Sequence, residues 1–146
     1  HVASDIIPLA YFSNFAPGLA TYINHAEAVA LASPLYSLPA VFADRSFIQF
    51  VDNTSALSLF VHGYTSRPDS ASLVNAYFLL AAALQVRPWF DWVPSEANLA
   101  DLPSRSRMRE FLCAVAGLAS VEHADFRYPL WPSGPALRSF ASAIGL

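Results

Sequence analysis

Two short apolar segments, Ser46 to Val51 and Pro88 to Val93, constrain the fold of this chain more than any other feature. Both contain aromatic and β-branched residues in the proportion that is typical of strands. Two stretches with helical composition, Thr54 to His62 and Ser70 to Gln85, lie between them. Because strands joined by helical crossovers pair in parallel, the sequence predicts an α/β fold.

A further helix is predicted ahead of the first strand. It opens near Ile23, with Asn24 as a candidate N-cap and Glu27 three residues later, as in a capping box. Proline disfavours a continuous helix, so we expect this one either to end near Pro34 or to continue, kinked, as far as Pro39.

The two ends of the chain carry weaker patterns. We assign residues 1 to 118 to one α/β domain and residues 119 to 146 to a C-terminal extension. Within the first range the pattern also predicts a strand at Val2 to Ile7, a short helix at Leu9 to Phe15, a helical turn at Asn98 to Arg105 that Pro103 interrupts, and a helix at Arg107 to Leu118.

The composition is unusually apolar for a single domain of 146 residues. Hydrophobic residues make up 55% of the chain and charged residues 13%, with a mean hydropathy of +0.38. This balance predicts that some apolar surface meets a partner. The most apolar run, Ala76 to Val86, is shorter than the roughly 20 residues that a bilayer span needs, so we predict a buried helix and no membrane span.

Charge and cysteine content limit the classes of function. The net charge is −3, so the chain lacks the basic footprint that is usual in nucleic-acid-binding domains. Its single cysteine, Cys113, excludes a disulfide framework within the chain and a cysteine metal site, which favours an intracellular location. Trp89 and Trp92 differ by three positions and should face opposite sides of a strand, and we expect at least one of them to pack in the core.

Three acidic residues follow one structural pattern. Glu27 lies on the first long helix, Asp52 directly follows the first strand, and Asp101 follows the second. Because parallel strands end at the same edge of a sheet, these carboxylates can converge there. Each also has a purely structural interpretation, since Glu27 suits a helix start, Asp52 and Asn53 suit an N-cap, and Asp101 suits an exposed turn.

The same residues lie in three motifs that resemble the ribonuclease H domain of retroelement reverse transcriptases. The first is A-E-A-V-A at 26–30, the second is F-V-D-N-T at 50–54 with V-H-G-Y-T-S at 61–66, and the third is W-V-P-S at 92–95 with N-L-A-D-L-P-S-R at 98–105. Each motif is short, but all occur in order between about Ile6 and Arg105.

This resemblance implies a ribonuclease H-like fold, a mixed sheet with flanking helices. In that family four carboxylates hold two Mg²⁺ ions that cut the RNA strand of an RNA/DNA hybrid. By motif match, Glu27, Asp52 and Asp101 are expected to be three of these catalytic metal ligands, and oxygen ligands suit Mg²⁺. Residues that flank this site and are candidates to contact the nucleic acid are Asn53, Tyr64, Arg67 and Arg105.

The chain departs from the family at its first strand, which should carry an Asp that bridges both metal ions. Asp5 is the only acidic residue before Glu27 and lies 22 residues upstream of it, too few for the missing strands and turns. We therefore interpret Asp5 as a turn residue and the domain as truncated at its N-terminus. An upstream polymerase domain or another chain is expected to complete the sheet by adding a strand beside Ser46 to Val51.

Two functions remain open from the sequence. The first is a retrotransposon ribonuclease H module, a Mg²⁺-dependent endonuclease that is active if the missing Asp is supplied. The second is a catalytically inactive, domesticated relic that serves as a scaffold subunit of a larger assembly, because a fold alone never guarantees activity.

Overall fold

The fold is built around a parallel pair of strands with helices packed on one face. A computed structural model describes residues 7–8, 11, 13, 15, 22–104, 107–115 and 125–129. The elements, in chain order, are α1 (Ile23–Ser37), α2 (Pro39–Phe42), β1 (Ser46–Val51), α3 (Thr54–His62), α4 (Pro68–Ala83), β2 (Arg87–Trp92), α5 (Asp101–Ser104) and α6 (Met108–Ala114).

The predicted α/β class is confirmed. Strands β1 and β2 are parallel, and their register runs from Ser46 opposite Arg87 to Val51 opposite Trp92. Strand β1 and helix α3 have the predicted bounds, while α4 and β2 begin two residues and one residue earlier than predicted. Within the described residues each strand has the other as its only neighbour.

Helix α1 begins at Ile23, where the sequence predicted that it opens, but its cap differs from the prediction. Its N-cap is Tyr22, which makes no side-chain capping bond, so the prediction of Asn24 as N-cap is wrong. The helix continues through Pro34 to Ser37, as the longer of the two alternatives proposed. Ser33, just before that proline, donates its hydroxyl to the carbonyl of Val29 at 2.7 Å, so its buried hydroxyl is satisfied within the helix.

One face of the sheet is covered by helices. Helices α3 and α4 pack against β2, and α1 packs on both of these helices. The rings of Phe60, Tyr77 and Phe90 meet at the centre of this layer, with centroids 5.1 to 5.8 Å apart. The residues that are most deeply buried come from α1, α3 and α4, which places the core between these three helices and the inner face of the sheet.

The other face of the sheet is open and carries three large apolar side chains. Ile48 and Phe50 of β1 are 58% and 59% exposed, and Trp89 of β2 is 67% exposed. Side chains two positions apart in a strand share a face, so these three side chains form one surface, which we call the open sheet face. The prediction that apolar surface is available to a partner agrees with this arrangement. The expectation of a core tryptophan on β2 is wrong, because Trp92 is also 51% exposed.

Part of the predicted organisation lies outside the described residues. This holds for the strand at Val2 to Ile7 apart from its last residue, for most of the helix at Leu9 to Phe15, and for most of the extension at 119 to 146. The described part of that extension contacts the domain, since the backbone N–H of Arg127 donates to Ser37 Oγ at 2.9 Å. None of the helices among the described residues is both long and apolar enough to cross a membrane.

Candidate functional site

The ends of the two strands define one edge of the sheet. Val51 is opposite Trp92, and the N–H of Val93 donates to the carbonyl of Val51 at 3.0 Å. Asp52 is the first residue beyond β1, so its carboxylate is placed where the backbone leaves the sheet. This is the position at which parallel α/β proteins hold reactive side chains.

Asp101 reaches the region through a compact turn after β2. The chain forms a 3-10 turn over Ser95–Ala97, and Asn98 Oδ1 then accepts from the N–H of Ala100 at 3.2 Å. The N–H of Asp101 donates to the carbonyl of Asn98 at 3.1 Å, and Asp101 is the first residue of α5. Pro103 lies inside α5 and does not interrupt it, because residues in a first turn donate no intrahelical hydrogen bond.

Glu27 lies on a different element, the second turn of α1, and is half-buried. Two polar contacts hold α1 against β1 and its end. Asn53 Nδ2 donates to Asn24 Oδ1 at 3.1 Å, and Gln49 Nε2 donates to the carbonyl of Leu31 at 2.7 Å. These contacts fix the helix that carries Glu27 relative to the strand that precedes Asp52.

The electrostatics connect the three acidic residues. Burial raises the pKa of Glu27 above its ordinary value, and the negative charges of Asp52 and Asp101 raise it further. Like charges raise a carboxyl pKa only when they lie nearby, so the structure brings Asp52 and Asp101 within electrostatic range of Glu27. The helix start that follows Asp52 is capped by Asn53, whose Oδ1 accepts from the N–H groups of Ser55 and Ala56.

The three acids suit Mg²⁺ by their chemistry but not by their arrangement. Their donor chemistry suits the ion, since all three offer carboxylate oxygens and their mutual repulsion would be relieved by a cation. Among the described residues, however, no three His, Cys, Asp or Glu side chains are grouped closely enough to hold a metal ion as they stand. The three carboxylates therefore influence one another electrostatically, but they are not arranged as a metal coordination shell.

The four candidate nucleic-acid contacts have different surroundings. Tyr64 is 74% exposed in the loop after α3. Arg67 is exposed and its guanidinium lies 3.4 Å from the carboxylate of Asp69. Asn53 is half-buried and uses its amide for contacts within the fold, and Arg105 lies outside the described residues.

One buried polar contact was missed from the sequence. His25 is buried in α1, and its Nε2 atom lies 3.3 Å from Asp69 Oδ2. The ring of His25 also packs on that of Phe15, with centroids 4.5 Å apart. No local pattern signals this pair, because 44 residues separate its members; a His inside an apolar helix is the sole indication.

Fold and site together define an α/β protein in which Asp52 directly follows the first strand of a parallel pair, and in which burial and the charges of Asp52 and Asp101 raise the pKa of Glu27. Comparisons with models of protein families, with curated proteins and with solved structures returned no match.

Proposed function

We propose that this chain is a ribonuclease H-like module of a retroelement reverse transcriptase that hydrolyses the RNA strand of RNA/DNA hybrids with Mg²⁺. The observation that carries the proposal is the raised pKa of Glu27, which is caused first by burial and then by the negative charges of Asp52 and Asp101. The motif order selects these same three residues, which come from three separate parts of the chain. Agreement between motif and electrostatics is the support for this function.

In this proposal Glu27, Asp52 and Asp101 hold the metal ions, with a further carboxylate supplied from outside the described residues. An ion held by these carboxylates would supply an activated water and would stabilise charge on the leaving oxygen. The three carboxylates orient the ions, and the rigid end of β1 limits how far Asp52 can move. The 2′-hydroxyl and the wide minor groove allow such a site to distinguish RNA from DNA.

The sheet itself supports a partner that adds a strand. Parallel sheets are almost always larger than two strands and covered on both faces, whereas β1 and β2 pair only with each other within the described residues. We propose that a polymerase domain or another chain contributes a strand at the free edge of β1. That strand would bring the missing Asp beside Asp52.

We also propose an intracellular location. Cys113 is an exposed free thiol, which a reducing compartment permits.

A second function is favoured by a different observation. The open sheet face exposes Ile48, Phe50 and Trp89, and the three acids are not assembled to hold an ion as they stand. Both features suit a domesticated, inactive relic that acts as a scaffold subunit and buries this face in a larger assembly. The two functions differ in whether the carboxylates bind Mg²⁺.

Hydrolysis of a labelled RNA/DNA hybrid tests the first function. The chain is assayed alone and joined to a segment that supplies a first strand bearing Asp, with and without Mg²⁺. We expect Mg²⁺-dependent cleavage from the completed form and a loss of at least about 100-fold in Asp52→Asn. Asp91→Asn, an exposed Asp in β2, is the matched control and should retain the rate. An Asp52→Asn rate equal to that of the unmodified chain would show that the metal assignment is wrong.

Thermal unfolding with and without Mg²⁺ separates the two functions. A ligand that binds only the folded chain raises the unfolding temperature by mass action. The nuclease predicts a rise that Asp52→Asn abolishes, whereas the relic predicts that Mg²⁺ has no carboxylate-dependent effect. The control is again Asp91→Asn, which should respond to Mg²⁺ as the unmodified chain does.

A further inference from the structure

A single amide group joins the two elements that carry Glu27 and Asp52. Asn53 Oδ1 accepts from the N–H groups of Ser55 and Ala56, both at 3.0 Å, and thereby caps α3. Its Nδ2 donates to Asn24 Oδ1 at 3.1 Å. Because the oxygen is committed to two backbone donors, the amide nitrogen must face Asn24, which must in turn present its oxygen. The orientation of both amides is thus set by the fold.

The position of this pair relative to the acids is specific. Asn53 directly follows Asp52, and Asn24 lies three residues before Glu27, about one helical turn away. Asn24 is exposed, so burial in the core does not explain its role. The bond between the two amides joins the start of α1 to the residue that follows Asp52, so it holds the helix that carries Glu27 against the end of β1.

We propose that Asn24 and Asn53 are positioning residues that set the spacing between the carboxylates of Glu27 and Asp52. This inference rests on the proposed metal-dependent function for its consequence, although the spacing itself does not depend on it. Residues that orient metal ligands without touching the ion commonly change affinity by about 10-fold to 100-fold when substituted. The bond between the two amides should therefore control Mg²⁺ affinity, whereas the contribution of Asn53 to stability comes from its separate role as the cap of α3.

Two substitutions isolate the bond between the amides. Asn24→Ala removes the acceptor and leaves the cap of α3 intact. Asn53→Ser keeps a hydroxyl that caps a helix about as well, but its side chain is too short to reach Asn24. Asn75→Ala, which removes an exposed Asn from α4, is the matched control. Thermal unfolding of each variant should stay close to that of the unmodified chain.

Calorimetric titration of the full chain with Mg²⁺ gives the first readout. We expect about tenfold weaker binding in Asn24→Ala and in Asn53→Ser, and no further loss in the double variant, because each change breaks the same bond. Asn75→Ala should bind as the unmodified chain does. Additive losses, or unchanged affinity in both single variants, would overturn the proposal.

Carboxyl ¹³C resonances of the metal-free chain give a readout that needs no ion. Asn24→Ala should move the Asp52 resonance, and Asn53→Ser should move the Glu27 resonance, since each substitution reaches the other element only through the amide bond. Asn75→Ala should move neither. If the unmodified chain binds no Mg²⁺, the proposed function is wrong, and these resonances alone decide the positioning role. Unmoved resonances in both variants would refute it.

Discussion

The Nε2 atom of His25 lies 3.3 Å from Oδ2 of Asp69, and the two side chains are 8% and 7% exposed. The distance is that of an ion pair, but neither ring nitrogen of His25 has a hydrogen-bond partner within the described residues. Coulomb interaction depends on distance more than on angle, so we regard the contact as a charge pair whenever His25 is protonated. It joins the first turn of α1 to the first turn of α4.

Asp69→Asn is expected to destabilise the fold. The carboxylate of Asp69 also accepts from the N–H of Ser70 at 2.7 Å, so the substitution weakens several contacts at a buried position. We expect the free energy of unfolding to fall by about 2 kcal/mol, measured by urea denaturation. Asp44→Asn is the control, because Asp44 is an exposed residue with φ of 59°, a conformation that Asn tolerates. Equal midpoints for the two variants would contradict the prediction.

Glu27→Gln is expected to stabilise the metal-free chain at neutral pH. The pKa of Glu27 is raised in the folded state by burial and by Asp52 and Asp101, so the folded chain holds this proton more tightly than the unfolded chain. The stability is unaffected below the unfolded pKa and falls as pH rises through the raised folded pKa. The neutral amide removes that loss, by less than about 1 kcal/mol because solvent screens a half-exposed group.

The measurement for Glu27→Gln is the unfolding free energy between pH 4 and pH 8 in the presence of a chelator. The unmodified chain should lose stability relative to Glu27→Gln as pH rises through this range, and Glu96→Gln, at an exposed position in the 3-10 turn, should follow the unmodified chain. Parallel plots of unfolding free energy against pH for the unmodified chain and Glu27→Gln would show that the pKa of Glu27 is not raised in the folded state.

Gly63→Ala is expected to cost about 1 kcal/mol through backbone strain. Gly63 ends α3 with φ of 64°, in the left-handed region, and its N–H donates to the carbonyl of Leu59 at 3.1 Å. An added Cβ would meet Phe78 Cε2 at 3.5 Å, an ordinary contact, so the conformation and not a clash causes the loss. Gly63→Asn, which tolerates this conformation, should recover part of the stability in thermal unfolding. An equal loss in both variants would indicate a steric cause.

Local signals explain which elements were predictable. Helix α3 has a side-chain cap at Asn53 and a left-handed glycine at Gly63, so both of its ends are encoded by neighbouring residues. The N-cap of α1 was misjudged because Asn24 looked like a cap, whereas its side chain bonds to a residue 29 positions away. A capping pattern does not reveal such a distant partner, and the same holds for His25 with Asp69.

In the candidate site, too, some features could be predicted from the sequence and others depend on tertiary packing. The order of motifs identified Glu27, Asp52 and Asp101, and the parallel pairing of β1 and β2 explains why residues after the two strands come near one another. The sequence did not indicate how far apart the carboxylates would lie, because that depends on how α1 and the turn before α5 pack on the sheet. Tertiary packing also decided the exposure of Trp89 and Trp92, which their strand position left open.

Adjacent residues of β2 offer a direct test of the two sheet faces. Phe90 points into the helical layer, where its ring centroid lies 5.4 Å from that of Phe60 and 5.8 Å from that of Tyr77. Trp89 is on the open sheet face and is 67% exposed. Truncating a buried aromatic side chain removes packing contacts and leaves a cavity, whereas truncating an exposed one removes little.

We therefore expect Phe90→Ala to lower the free energy of unfolding by about 3 kcal/mol and Trp89→Ala by less than about 1 kcal/mol in urea denaturation. Trp89→Ala should also reduce self-association and binding of a hydrophobic dye, because it shrinks the exposed apolar surface formed with Ile48 and Phe50. Both variants remove an aromatic ring from the same strand, so each serves as the control for the other. If Trp89→Ala destabilises the chain as much as Phe90→Ala does, the open sheet face is covered in the isolated chain, and the need for a partner at this surface disappears.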